Sequence, residues 1–313
     1  MTGLVVVVGD VLLDRDIVGI ADRLSPDAPV PVLTETAQVQ RPGGAGLAAL
    51  FLALAGAEVQ LIGAFGKDPA GQTVRALLAE AGVRVSEMPY SGQTPEKVRL
   101  RAGGHPLLRL DRGVSPGPLG EPTQAQLAEL HRATAVLVSD YGRGVTALPG
   151  LRRALADTAT RVPVVWDPHP KGSTPVAAVR AVCPNRVEAA GFAAARGVDI
   201  DDRPVLARDV VAVQARLLRT AWRAYAVAVT MGSHGALIAE GDRRPVHVPA
   251  PATEGGDTCG AGDRFSAELT MSLARGAEVA TAVADAVDAA SKYVAANGPQ
   301  SLSTSFVMEE SLR

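Results

Sequence analysis

The segment GGDTCGAGDRFSAEL, residues 255–269, sets two carboxylates, Asp257 and Asp263, around a Gly260-Ala261-Gly262 turn. An amphipathic run follows at once. Two readings of the turn fit this spacing. In one, Gly260 and Gly262 supply a backbone geometry with φ > 0 that side chains resist. In the other, the turn opens a helix whose unpaired N–H groups and dipole take a dense negative charge, such as a phosphoryl group in transit. Asp263, in the first turn of that helix, would then accept a proton from an attacking hydroxyl. It would serve equally as a plain helix cap. Spacing alone does not separate the two.

The elements that must position this segment are legible elsewhere. Short apolar runs at residues 4–9, 59–66, 134–140, 162–167, 181–185 and 225–232 read as strands. Helical periodicity covers residues 46–55, 70–81, 123–132, 148–159, 208–219, 263–274 and 278–296. Strands that are apolar throughout and separated by helices predict a mostly parallel sheet covered on both faces. The strands end in polar or glycine-bearing turns, among them SDYGRG, DPHPKG, PNRVE and TMGSHG. Open α/β sheets bind ligands at the carboxyl ends of strands, so these turns mark the expected active edge.

Two stretches depart from that rhythm. Residues 16–40 are Pro-rich with a short extended VPVL piece, and residues 89–110 hold KVRLR and LLRLD, which alternate with period two. Together they predict a small β-lid over the active edge. Lys97, Arg99 and Arg101 share one face of its strand, and Val98 and Leu100 the other. The apolar face needs cover, which an identical lid on a second subunit would give. Residues 114–122 read as a Pro/Gly linker.

Composition narrows the function classes. The 313 residues allow a large core, and 47% hydrophobic with 20% charged residues is ordinary for a globular chain. A net charge of −2 argues against nucleic acid as a partner. Cys183 and Cys259 stand far apart without metal-ligand spacing, which points to a reducing compartment. No apolar run approaches a membrane span, and the opening MTGLVVVVGDVLLD lacks the basic start of a signal peptide, so the cytoplasm is expected. No G-x-x-x-x-G-K-[ST] occurs. Residues 44–49, GAGLAA, loosely match a dinucleotide-binding pattern but follow Arg41-Pro42 rather than an expected strand. An NAD(P)-dependent oxidoreductase is therefore the rival from another class.

Residues 255–269 resemble the C-terminal signature of the PfkB (ribokinase-like) carbohydrate kinases, D-T-x-G-A-G-D-x-F. The Gly9-Asp10 strand end and PGGAG at 42–46 resemble the first half of the same fingerprint, so the likeness covers nearly the whole chain. The narrower runs GDVLLDRDIVG, RLSPDAPVPVL, RPGGAG, LLRLD, SDYGRG and PNRVE are similar to the kinase half of heptose-7-phosphate kinases of the ADP-heptose pathway.

This resemblance implies one ribokinase-like three-layer α/β/α sandwich over residues 1–313, with a mostly parallel central sheet and the small β-lid. It implies transfer of the γ-phosphoryl of MgATP to a sugar hydroxyl, the anomeric one for a heptose 7-phosphate, and a homodimer formed through the lids. Some such enzymes carry a fused nucleotidyltransferase; with the chain ending soon after the kinase signature, only the phosphorylation step is expected here. By the resemblance, Asp263 is the general base, and Gly260, Ala261 and Gly262 offer amides to the phosphoryl group. Asp14 binds sugar hydroxyls, and Gly43 and Gly44 let the backbone approach the sugar. Asn185 and Glu188 organise Mg²⁺, often through water, while Thr230, Gly232 and Gly235 face the nucleotide. Asp257 resembles part of a monovalent-cation (K⁺) loop. Arg99, Arg101 and Arg109, with Lys97, suit a substrate phosphate, or form a solvated basic face.

One departure stands out. Leu47 occupies the position where relatives place a sugar-contacting Asn, and Leu makes no hydrogen bond. The reaction type is thus better defined than the sugar. A kinase of another sugar, sugar phosphate or nucleoside, and a non-catalytic sugar-binding protein, remain the alternatives.

Overall fold

Four consecutive valines explain the core. Val5 and Val7 enter one apolar cluster and Val6 and Val8 another, one on each face of the sheet. A strand buried on both faces needs such an unbroken apolar run. The computed structural model describes residues 3–113, 115, 117–197, 208–252 and 255–302.

In chain order the elements are β1 (Leu4–Leu24), β2 (Pro31–Gly44), α1 (Ala45–Leu54), β3 (Glu58–Ala64), α2 (Pro69–Glu80), β4 (Arg84–Glu87), β5 (Glu96–Ala102) and β6 (His105–Arg112). There follow α3 (Gln124–Arg132), β7 (Ala135–Ser139), α4 (Pro149–Ala159), β8 (Val164–Asp167), β9 (Ala181–Val182) and α5 (Arg186–Ala194). The chain continues with α6 (Arg208–Trp222), β10 (Ala226–Thr230), β11 (Ala236–Glu240), β12 (Val246–Val248), α7 (Ala261–Ala274) and α8 (Val279–Ala295).

The main sheet has the order β12-β11-β10-β9-β8-β7-β1-β3-β4. It is parallel from β4 to β10, and β11 and β12 add antiparallel edges. Helices α1, α2, α7 and α8 supply the cluster on one face, through residues such as Leu50, Leu77, Leu269 and Val283. Helices α3 to α6 supply the other, through Leu130, Leu155, Ala189 and Leu218. Trp166 and Trp222 are buried in it. Among the described residues no helix is long and apolar enough to cross a membrane.

The lid corrects the sequence reading in one respect. The first strand does not stop at Gly9: β1 runs on from the main sheet, pairing β2 antiparallel and β5 parallel, with β6 antiparallel on β5. Pro31–Leu33 of the expected short VPVL piece instead open a fourteen-residue strand. Asp10, Asp14 and Asp16 obscured this continuity, because buried carboxylates read as a break. Each of them has partners: Asp10 accepts the Tyr141, Arg143 and Val145 amides, Asp14 pairs with Arg99, and Asp16 with Arg41. The stretch at 44–49 also needs correction, since it does follow a strand. That strand, β2, is antiparallel and belongs to the lid, which is not the parallel β-α unit of a dinucleotide fold.

Cover for the lid's apolar face is partly internal. Val98 is buried within the chain, whereas its neighbours Leu108 and Leu110 on β6 are exposed, as are Ile20 and Leu24. Of the expected linker, Val114 and Pro116 lie outside the described residues.

Candidate active site

The turn before α7 is built around Gly260, its N-cap, at φ 83°. A Cβ there would come within 2.9 Å of Leu47 Cδ2 and 3.0 Å of the Tyr293 hydroxyl, so both conformation and space require glycine. Tyr293 donates its hydroxyl to the Cys259 carbonyl at 2.8 Å and braces the turn. Among the described residues, the Gly260 and Gly262 amides have no protein acceptor. Ala261 differs from expectation, because its amide closes the turn on the Thr258 carbonyl at 3.1 Å. Two of the three expected amides are therefore open to a ligand.

Asp263 is buried in the first turn of α7. It is held from across the sheet: the Tyr141 hydroxyl donates to Asp263 Oδ1 at 2.7 Å. Burial pushes the Asp263 carboxyl up to about 7, the Tyr141 hydrogen bond opposes this, Asp14 adds to it and Lys97 opposes it. Such a group changes ionisation near neutral pH, which suits a general base. Asp167, at the end of β8, is pushed well above the usual carboxylate range by its surroundings and by the Asp263 and Glu188 carboxylates. Sequence reasoning assigned no role to Tyr141 or Asp167, although both lie in strand-end turns it had marked.

Beneath the lid, Asp14 is buried with its Oδ1 on Arg99 Nη1 at 2.7 Å. Gly43 lies against it, since a Cβ on Gly43 would sit 2.6 Å from Asp14 Oδ2. Gly44, at φ 61°, faces the Tyr141 ring. Arg99 Nη2 also reaches Cys259 Sγ at 3.2 Å, and Arg101 Nη1 binds Asp257 Oδ2 at 2.8 Å. The lid strand thus touches the turn before α7 through two arginines. Arg109 instead pairs with Asp111 on the exposed β6. Arg99, Arg101, Arg109 and Asp257 line a cavity of about 630 Å³. A neighbouring one of about 300 Å³ holds Lys97, Tyr141, Arg143 and His169.

At the α7 N-terminus is also a cleft of about 360 Å³, lined by Thr230, Gly232, Gly235 and Gly262 and, from α8, by Val287 and Val294. Asn185 bridges to Thr230 and brings PNRVE to this cleft. Locally, Asn185 and Glu188 form a capping box: Asn185 Oδ1 accepts the Val187 and Glu188 amides, and the Glu188 carboxylate accepts the Asn185 amide at 2.8 Å. They start α5, a helix missing from the sequence reading. Burial raises the Glu188 carboxyl, against those hydrogen bonds.

Among the described residues no group of three or more His, Cys, Asp or Glu could hold a metal ion. Mg²⁺ needs few protein carboxylates when phosphates and water complete its shell, so a lone Glu188 acting through water fits it. Asp257 does not fit a monovalent cation through its side chain. Arg101 and the Cys259 amide already occupy its carboxylate, and despite burial they hold it below the usual range.

A doubly wound parallel sheet, a β-lid grown from its first strand and an open-amide helix N-terminus at the lid's root define a ribokinase-like α/β protein. Solved structures agree on the fold. Arabidopsis thaliana ribokinase, complexed with ribose and ATP, superposes with a TM-score of 0.72 at 19% identity, covering 94% of this chain and 93% of its own. Escherichia coli phosphofructokinase-2, in complex with potassium, gives 0.71 at 20%, covering 95% and 94%. The profile described as "pfkB family carbohydrate kinase" matches residues 2–305, and the chain belongs to that family of sugar kinases. It is 50% identical over 293 residues to the bifunctional protein HldE of Streptomyces coelicolor, covering 94% of this chain and 60% of that protein. With HldE of Caulobacter vibrioides it shares 37% over 282 residues, covering 89% and 57%. The chain thus spans about three fifths of the length of these curated relatives.

Proposed function

We propose that the chain transfers the γ-phosphoryl of MgATP to the anomeric hydroxyl of a heptose 7-phosphate. One observation carries the reading: Asp263 is held by Tyr141, which lines the 300 Å³ pocket under the lid, while Gly262 of the same helix turn, its amide open, lines the 360 Å³ cleft. In this arrangement the nucleotide lies along Thr230, Gly232 and Gly235. The sugar lies against Asp14, Gly43 and Gly44. The two amides stabilise the phosphoryl oxygens in flight, and Asp263 takes the proton of the attacking hydroxyl. Glu188 would orient water on Mg²⁺, which when bound would supply positive charge to the phosphates. No step is assigned to a monovalent cation. Closure of the lid excludes water, the competing acceptor.

The choice of heptose 7-phosphate rests on the RLSPDAPVPVL run and on the 50% identity to an HldE protein. Arg99, Arg101 and Lys97 would meet the substrate's phosphate. Leu47, buried against the Gly260 turn, withholds a polar contact from the sugar. The direct test is ADP release with MgATP across ribose, fructose 6-phosphate, a free heptose and its 7-phosphate. The 7-phosphate should exceed the free heptose at least about tenfold in kcat/KM, as one charged contact is worth. Equal rates would contradict the phosphate assignment, and no ADP release from any of them would contradict the kinase reading. The exposed Leu108 and Leu110 support a homodimer through the lids. Leu108→Asp should then shift the sedimentation coefficient to that of a monomer.

A further inference from the structure

Tyr141 sits in SDYGRG, where no residue has yet a chemical task. Its hydroxyl donates to Asp263 Oδ1 at 2.7 Å, across 122 positions of sequence. The rest of the residue is immobilised. Its amide is bound by Asp10 Oδ2 at 3.0 Å, a carboxylate that also takes the Arg143 and Val145 amides. The Lys97 ammonium lies 5.1 Å from the ring centroid, and the His169 ring stacks at 6.4 Å and 18°. A phenol held this firmly fixes one carboxylate oxygen and leaves the other for substrate.

We propose that Tyr141 is a positioning residue that clamps Asp263 through Oδ1, so that Oδ2 faces the acceptor hydroxyl and takes its proton. This rests on the reading of Asp263 as the base. The phenol favours the ionised carboxylate, because a hydrogen bond to the charged form is the stronger one. Burial and the surrounding Asp263, Asp167 and Asp14 carboxylates push the Tyr141 hydroxyl well above its ordinary range, so it stays a donor. The other groups facing Asp263 are Asp14 from β1, Lys97 from β5, Asp167 from β8, Cys183 after β9 and Tyr293 from α8. Glu188 on α5 acts on Asp167.

The test is the pH dependence of kcat/KM for the panel sugar that turns over fastest, which reports groups of the free enzyme. Tyr141→Phe should move the acid limb up by about one pH unit, as loss of a hydrogen bond to a charge requires. At pH 7 kcat/KM then falls about fivefold and recovers toward pH 9, with the KM for ATP unchanged. Tyr141→Gln, which keeps an N–H donor, should hold the limb near that of the unaltered protein. If the Phe variant lacks a cooperative melt, Tyr141→Met serves as the donorless member of the pair. A limb unmoved without the donor, or identical in the donor and donorless variants, overturns the proposal. Undiminished turnover in Asp263→Asn would sink the base assignment itself, whereas a dead Asp263→Asn with an unmoved Tyr141→Phe limb sinks only the clamp.

Discussion

The two sides of the α7 N-terminus are built from opposite materials. The cleft proposed for the nucleotide carries no charged side chain: Gly232, Gly235, Val287, Ala290 and Val294 line it together with the hydroxyls of Thr230, Ser233, Thr258 and Ser291. The pocket under the lid is lined by Arg99, Arg101 and Asp257, and its arginines are already paired, Arg99 with Asp14 and Arg101 with Asp257, beside the buried Arg41–Asp16 pair. A ligand entering the first displaces only water. A ligand entering the second must exchange existing ion pairs for new ones and gains only the difference. Nucleotide binding is therefore expected to tolerate polar substitutions elsewhere, while sugar binding answers sharply to any change in the charge network.

The largest expected effect lies at the junction of the two sides. Asp263 has a folded-state pKa of about 7 against 3.8 in an ordinary setting, so the native state binds the extra proton between those values. Stability should accordingly fall as pH rises from about 4 to about 7, because the ionised carboxylate is the one burial disfavours. Asp263→Asn removes that cost, and its advantage at pH 8 should reach at most roughly 4 kcal/mol in urea unfolding. An advantage independent of pH would break the assignment. Next comes Arg99→Met, which leaves the buried Asp14 without its nearest cation. Sugar KM should rise roughly 10- to 100-fold with ATP KM unchanged, and a parallel rise in both would erase the contrast between the two sides. Gly235→Ala tests the other wall. Its φ of 82° and the Val248 carbonyl leave no room for a Cβ, so ATP KM should rise about tenfold and sugar KM should hold. The smallest effect is expected for Arg109→Ala, since the exposed Arg109–Asp111 pair is worth less than about 1 kcal/mol by thermal melting. A large loss of sugar affinity there would move the substrate phosphate outward onto β6.

The same contrast explains what the sequence disclosed. Core strands and helices carry local signals, namely unbroken apolar runs and helical periodicity, and these marked β1, β3, β7, β8 and β10 and seven of the helices. The alternation in KVRLR and LLRLD likewise gave β5 and β6. The lid's root was hidden because Asp14 and Asp16 are charged yet buried, a state that depends on Arg99 and Arg41 far along the chain. Helix α5 announced itself through the Asn185–Glu188 capping box, but the resemblance had claimed those residues for Mg²⁺ and their local meaning was passed over. Tyr141 lay in SDYGRG, a turn marked as active edge, but only the fold joins it to Asp263.

The central claim is that Asp263 removes a proton beside open amides at the start of α7, and one comparison bears on it most directly. ADP release by Asp263→Asn, with ATP binding measured on the same sample by calorimetry, separates chemistry from binding. Turnover should drop at least about 100-fold, as loss of a general base requires, while the affinity for ATP stays within about threefold. Turnover at the level of the unaltered protein would contradict the account.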